Sequence, residues 1–75
     1  MNNIVDQQNR VSIVYSDDNY SIFVRIKHGD NITSHQVDTR IPGEIQNCLI
    51  DLENIINCQG LQTTKTLLLS YLNNL

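Results

Sequence analysis

The sequence predicts an α+β domain, with a three-stranded antiparallel meander first and two amphipathic helices packed on one of its faces (βββαα). Two stretches, Arg10–Ser16 and Tyr20–His28, alternate apolar and polar side chains as half-buried strands do. After Pro42, apolar residues recur at helical spacing. The chain has 75 residues, which is one domain, 1–75. A chain of this size buries only about 60% of its unfolded surface, so a partner subunit is one expected source of stability.

Residues 1–9 are polar and lack periodicity, and they read as a frayed N-terminus. The meander is expected over 10–39. In its first strand Val11, Ile13 and Tyr15 share a face; in its second, Tyr20, Ile22, Val24 and Ile26 do. Register decides the turn between them. With Asp18-Asn19 as a two-residue turn, Tyr15 faces Ile22, Ile13 faces Val24 and Val11 faces Ile26. A three-residue loop would pair Ile13 with Phe23 and mix the faces. The next turn centres on Gly29-Asp30, which sets Ile26 opposite Thr33, Val24 opposite His35 and Ile22 opposite Val37. The third strand, about 32–39, is the less apolar one and reads as an edge.

The first helix is expected over 42–59. Pro42 suits its first turn and Glu44 its positive end. Ile45, Cys48, Leu49, Leu52, Ile55 and Ile56 form its apolar stripe, and Gly60 suits a left-handed C-cap. The second helix is expected over 63–75, capped by Thr63 or Thr64. Its Leu67, Leu68, Leu69, Tyr71, Leu72 and Leu75 cover roughly 200° of circumference, more than one packing face needs.

Chemistry-bearing motifs are missing. The sequence holds no Gly-rich phosphate loop, no CxxC and no HExxH. Cys48 and Cys58 fall ten apart on the expected first helix, about 15 Å of rise, which is too far for a disulfide or a shared metal ion. With His28 and His35 they have zinc-ligand types but no zinc-ligand spacing. His35 could approach Cys48, yet no third group orients such a pair. Asp17 and Asp18 are explained by their turn, and Asp51 and Glu53 point about 160° apart on a helix. The expectation is a protein that is not an enzyme, with no cofactor and no metal.

The net charge of −3 argues against general phosphate binding, which needs clustered Lys and Arg. No apolar run of about 18 residues is present to span a membrane, and the start has no secretion signal, so the expected place is the cytoplasm. The Asn31-Ile32-Thr33 sequon then reads as a turn Asn.

Two surfaces are left uncommitted. Helices on one sheet face leave the other open, carrying Val14, Phe23, Arg25, Lys27 and Ile32 as candidate partner-binding residues. An aromatic anchor with a polar rim fits a protein partner. The same aromatic beside cations could stack a nucleobase, a reading the acidic chain disfavours. The surplus apolar arc of the last helix offers self-association through Leu67, Leu69 and Leu72, joined by Ile50, and a homodimer is expected from it. The leading functional expectation is a small binding protein that occupies a partner's surface. Abundant Asn and absent Ala indicate A/T-rich coding, common in phages and mobile elements. That bias suggests an inhibitor of a host defence system, CRISPR systems included. The alternatives are a nucleic-acid-binding regulator and a dimer that sequesters a small ligand.

Overall fold

The computed structural model describes residues 9–55 and 58–75. Three antiparallel strands precede two helices: β1 (Arg10–Tyr15), β2 (Ser21–His28), β3 (Asn31–Asp38), α1 (Pro42–Glu53) and α2 (Leu61–Asn73). The sheet order is β1-β2-β3, so the most apolar strand is central. The α+β meander-then-helices arrangement is as the sequence predicts.

The register also agrees: Val11, Ile13 and Tyr15 face Ile26, Val24 and Ile22, while Thr33, His35 and Val37 face Ile26, Val24 and Ile22 on the other side. The first turn differs. Ser16 N–H donates to the Ser21 carbonyl at 3.1 Å, and Asn19 N–H to that of Ser16 at 3.4 Å. The loop is therefore the four residues Asp17–Tyr20, not Asp18-Asn19 alone, and Asn19 alone among the described non-glycine residues has positive φ, at 70°. Asp18 holds the loop by accepting from the N–H groups of Tyr20 and Ser21 and from the Ser21 hydroxyl. Ser21 is buried, with both its N–H and its hydroxyl bonded to Asp18. Gly29-Asp30 is a two-residue turn with φ of 64° at Gly29, the first central position of a type II′ hairpin.

The helices lie across one sheet face, α1 over β3 and α2 over β1, and they pack on each other. Ile22, Val24, Ile45, Leu52 and Leu68 are fully buried between the layers. Val11, Val37, Cys48 and Leu61 complete the core, with Ile13 and Ile26 packed at its margin. Tyr15 and Tyr20, expected inside, are 63% and 38% exposed. Tyr15 stands beside Tyr71 of α2, and Tyr20 lies under the Arg40 guanidinium.

The helix boundaries correct the sequence reading. α1 stops at Glu53 instead of 59, capped by Asn54. Apolar spacing continues through Ile55, which packs on the core from outside the helix. Ile56 lies outside the described residues. Cys58 therefore does not share a helix with Cys48, and the argument from helical rise does not apply. The two thiols are nonetheless unbridged. Gly60, with φ of 82°, begins α2 instead of ending α1. Neither Thr63 nor Thr64 caps; Thr64 is buried within the first turn and its N–H bonds to the Gly60 carbonyl.

One contact has no sequence signal. Gln59 pairs in parallel with Arg10, its carbonyl accepting from Val11 N–H at 2.8 Å and its N–H donating to the Asn9 carbonyl at 3.0 Å. The segment between the helices thus adds a fourth short rung beside β1. Asn9 also accepts from Gly29 N–H through its side chain, so it is tied down and not part of a frayed end. The rest of the expected frayed segment lies outside the described residues.

Candidate functional site

The sheet face away from the helices is built by the even residues of β1 and β3 and the odd residues of β2. Its cross-strand rows follow from register. Val14 faces Phe23, which faces Gln36. Ser12 faces Arg25, which faces Ser34. Arg10 faces Lys27, which faces Ile32. Val14, Phe23, Arg25, Lys27 and Ile32 are thus brought onto one surface. Val14 and Ile32 are 44% and 56% exposed, Arg25 is exposed, and Phe23 and Lys27 are half-buried. Ile4 and Val5, the apolar residues of the N-terminal segment, lie outside the described residues.

Sequence reasoning missed Arg10, which is exposed and stands opposite Lys27. Its even position on β1 carried the signal. With it, three of the chain's five Lys and Arg residues lie at one end of this face. The remainder of the molecule is correspondingly acidic, since the whole chain is at −3. Asp30, in the adjoining turn, marks the margin of the basic patch.

The other end of the face is polar and acidic. Arg40 pairs with Asp38 at 2.7 Å through one terminal guanidinium nitrogen, donates to it again through Nε at 3.0 Å, and lies 3.7 Å over the Tyr20 ring. The side-chain bonds from Arg40, then its backbone N–H, hold the Asp38 carboxyl at a pKa of about 2, against a smaller opposing effect of burial. For Asp18, burial pushes upward, but the Ser21 and Tyr20 N–H groups prevail and the pKa falls below its ordinary value. Asp18, Tyr20, Ser21, Gln36, Asp38, Arg40 and Glu44 line an open depression of about 440 Å³ here. Its carboxylates are already engaged: Asp18 by its turn, Asp38 by Arg40, and Glu44 by Asp38 N–H at 2.9 Å. The arrangement locks the loop ends together.

On the helix side, His35 and Cys48 line one shallow groove with Gln36, Glu44, Asn47 and Asp51. Cys48 is buried, and burial, reinforced by the charge of Asp51, pushes its thiol up. Burial raises that of Cys58 too. Raised thiols stay protonated near neutrality and are poor nucleophiles. Among the described residues, no three of His, Cys, Asp or Glu are placed to hold a metal ion. No described helix is long and apolar enough to cross a membrane.

The candidate self-association residues differ in exposure. Ile50 on α1 is 61% exposed and Leu69 on α2 is 46% exposed. Leu72 packs against the core. Leu67 is half-buried and lines the groove between α2 and β1 with Val11, Ile13 and Tyr15. Leu67 and Leu69 flank the buried Leu68 on opposite sides, as helical geometry requires of residues two apart. Part of the surplus apolar arc is therefore used within the fold.

No protein-family model matches the chain, and neither the curated proteins nor the solved structures hold a match to it.

Proposed function

We propose that this chain is a non-enzymatic binding protein that acts by occupying a partner's surface, with the open sheet face as its interface. One observation carries the reading: exposed Val14 stands opposite Phe23, Arg25 follows in the next row, and Arg10, Lys27 and exposed Ile32 share the row beyond it, on a chain that is otherwise acidic. An apolar centre with a charged rim is the anatomy of a protein-binding patch. The aromatic supplies the anchor, and the cations steer encounter and set orientation. The A/T-rich coding bias supports the narrower reading of an inhibitor carried by a phage or mobile element and acting on a host defence protein in the host cytoplasm.

The test is capture of partners by the immobilised full chain from a host extract, followed by titration of the purified partner against Phe23→Ala. The expected result is a loss of about tenfold or more in affinity with the fold retained, as for an interface anchor. Undiminished affinity in a folded Phe23→Ala protein refutes the face as interface.

A second reading has one observation in its favour. Phe23, with Arg25 in the next row of the same face and Lys27 and Arg10 in the row beyond, could stack a base and hold phosphates. It predicts salt-dependent binding of single-stranded oligonucleotides. Absence of such binding at low salt removes it.

A further inference from the structure

β3 has an outer edge that the fold leaves open over most of its length. Thr39 N–H donates to the Tyr20 carbonyl at 2.8 Å, so Tyr20 and Thr39 form a hydrogen-bonded pair. Antiparallel pairs alternate between bonded and non-bonded. The bonding groups of Val37, His35 and Thr33 therefore face β2, and those of Asp38, Gln36, Ser34 and Ile32 face away from the sheet. The Glu44 carboxylate accepts from Asp38 N–H and closes one end. Among the described residues nothing accepts from Ile32, Ser34 or Gln36 N–H. The devices that protect natural edges are also missing: β3 contains no Lys, Arg or Pro, and its register runs without a bulge. The opposite edge, on β1, is covered at Val11 by Gln59.

We propose that this edge accepts an added strand from a partner protein, and that the strand is an extended segment with acidic side chains at alternate positions. The proposal rests on the binding-protein reading above and names the partner's chemistry. A strand laid beside β3 points alternate side chains to the two sheet faces. On the open face they reach Ile32 and Ser34, with Lys27 and Arg25 directly across those residues. On the helix side they meet the groove of about 240 Å³ that Glu44, Asn47 and Asp51 help to line. Acidic residues fit the first row, and neutral residues fit the second, where the Glu44 carboxylate is already engaged by Asp38 N–H. A second copy of β3 fits poorly. Its Ile32, Ser34 and Gln36 bring no carboxylate to the cations, and pairing two copies brings Glu44 and Asp51 of both helices toward each other.

Fluorescence anisotropy with the full chain tests this at about 50 mM salt, where screening is weak. The probes are labelled peptides of about ten residues alternating Glu with Thr or Lys with Thr, and an oligothymidine of similar length. The expected result is that the Glu peptide binds about tenfold or more tightly than the Lys peptide, and that Arg25→Glu weakens it about tenfold. Ser34→Pro abolishes its binding without unfolding the protein, because the N–H removed is not used by the sheet. Retained affinity in Ser34→Pro overturns the proposal, as do a Lys peptide that binds equally, tighter oligothymidine binding, or failure of the Glu peptide to bind. A dimer of the chain alone that Ser34→Pro dissociates, seen by sedimentation, also overturns it in favour of a second copy. Phe23→Ala separates the two readings. Loss of partner affinity in Phe23→Ala but not in Ser34→Pro refutes the edge and keeps the face; loss in neither refutes both.

Discussion

Replacing Gly60 with alanine would strike the joint between sheet and helices. Gly60 has φ of 82°, a region that costs an L residue about 1–2 kcal/mol. A Cβ there would stand 2.3 Å from the Val11 carbonyl oxygen, well inside contact distance. The obstacle is backbone, so relief requires moving β1 away from the 58–60 segment. That movement breaks the bond from Val11 N–H to Gln59, worth about 1 kcal/mol. Together the two effects come to about 2–3 kcal/mol. In a domain of this size each kcal/mol lowers Tm by about 4–8 °C, so the expected fall is about 8–24 °C. Thermal melts followed by circular dichroism measure it. Gly43→Ala is the control: nothing lies within 4 Å of its Cβ position, and an alanine in α1 should gain up to about 1 kcal/mol. If Gly60→Ala melts within about 3 °C of the parent, the conformational argument at that joint is wrong.

Other expectations follow from the same geometry. Leu68→Ala empties a fully buried site and should cost about 2–5 kcal/mol in urea unfolding, whereas Ile50→Ala should stay within about 0.5 kcal/mol. A concentration-dependent loss in Ile50→Ala would instead reveal a dimer contact. The Asp38 carboxyl should titrate near pH 2 by NMR and return upward in Arg40→Ala. Because its folded pKa is lowered, the stability it contributes is present above its unfolded pKa near 3.8 and is lost as pH falls toward 2. An unchanged titration in Arg40→Ala would refute the assignment. Cys58, half-exposed, should react with a thiol reagent at pH 8 well before the buried Cys48, which should react only on unfolding. Equal rates would contradict the burial of Cys48.

Much of the fold was legible because β alternation has a period of two. Val11, Ile13, Ile22, Val24 and Ile26 form a coherent face only when the first loop has even length, so the register followed. The same parity could not separate a two-residue from a four-residue loop, since both leave Tyr15 opposite Ile22. Asp18 decides that, through bonds to Ser21 and Tyr20 that composition does not reveal. Tyr15 and Tyr20 lie on the core face by parity, yet neither is buried, because parity assigns a face and not a depth. Apolar spacing continues past Glu53 and hides the end of α1; Ile55 contributes to the core without being helical. A left-handed glycine serves a helix start as well as a helix end, so Gly60 was assigned to the wrong helix. The open-face residues were readable from alternation alone. The open stretch of β3 was not, because Glu44 closing it at Asp38 is a tertiary fact.

The Gln59 rung also bears on the order in which the protein assembles. The meander is closed by short local turns, and hairpins form within about 1–10 μs. Arg10 and Gln59 are 49 positions apart (59 − 10), and the rung cannot form until the later residue leaves the ribosome. At about 5–20 residues per second, the 37 residues between Asp38 and Leu75 (75 − 38) take roughly 2–7 s to synthesise. Early in that interval the apolar face of the sheet has no helix to cover it and both sheet edges are bare. A nascent chain halted with residues up to about Asp38 just outside the ribosome should therefore bind a hydrophobic dye or a holdase chaperone more strongly than the finished domain. Equal binding by the two would show that the meander does not form before its helices arrive.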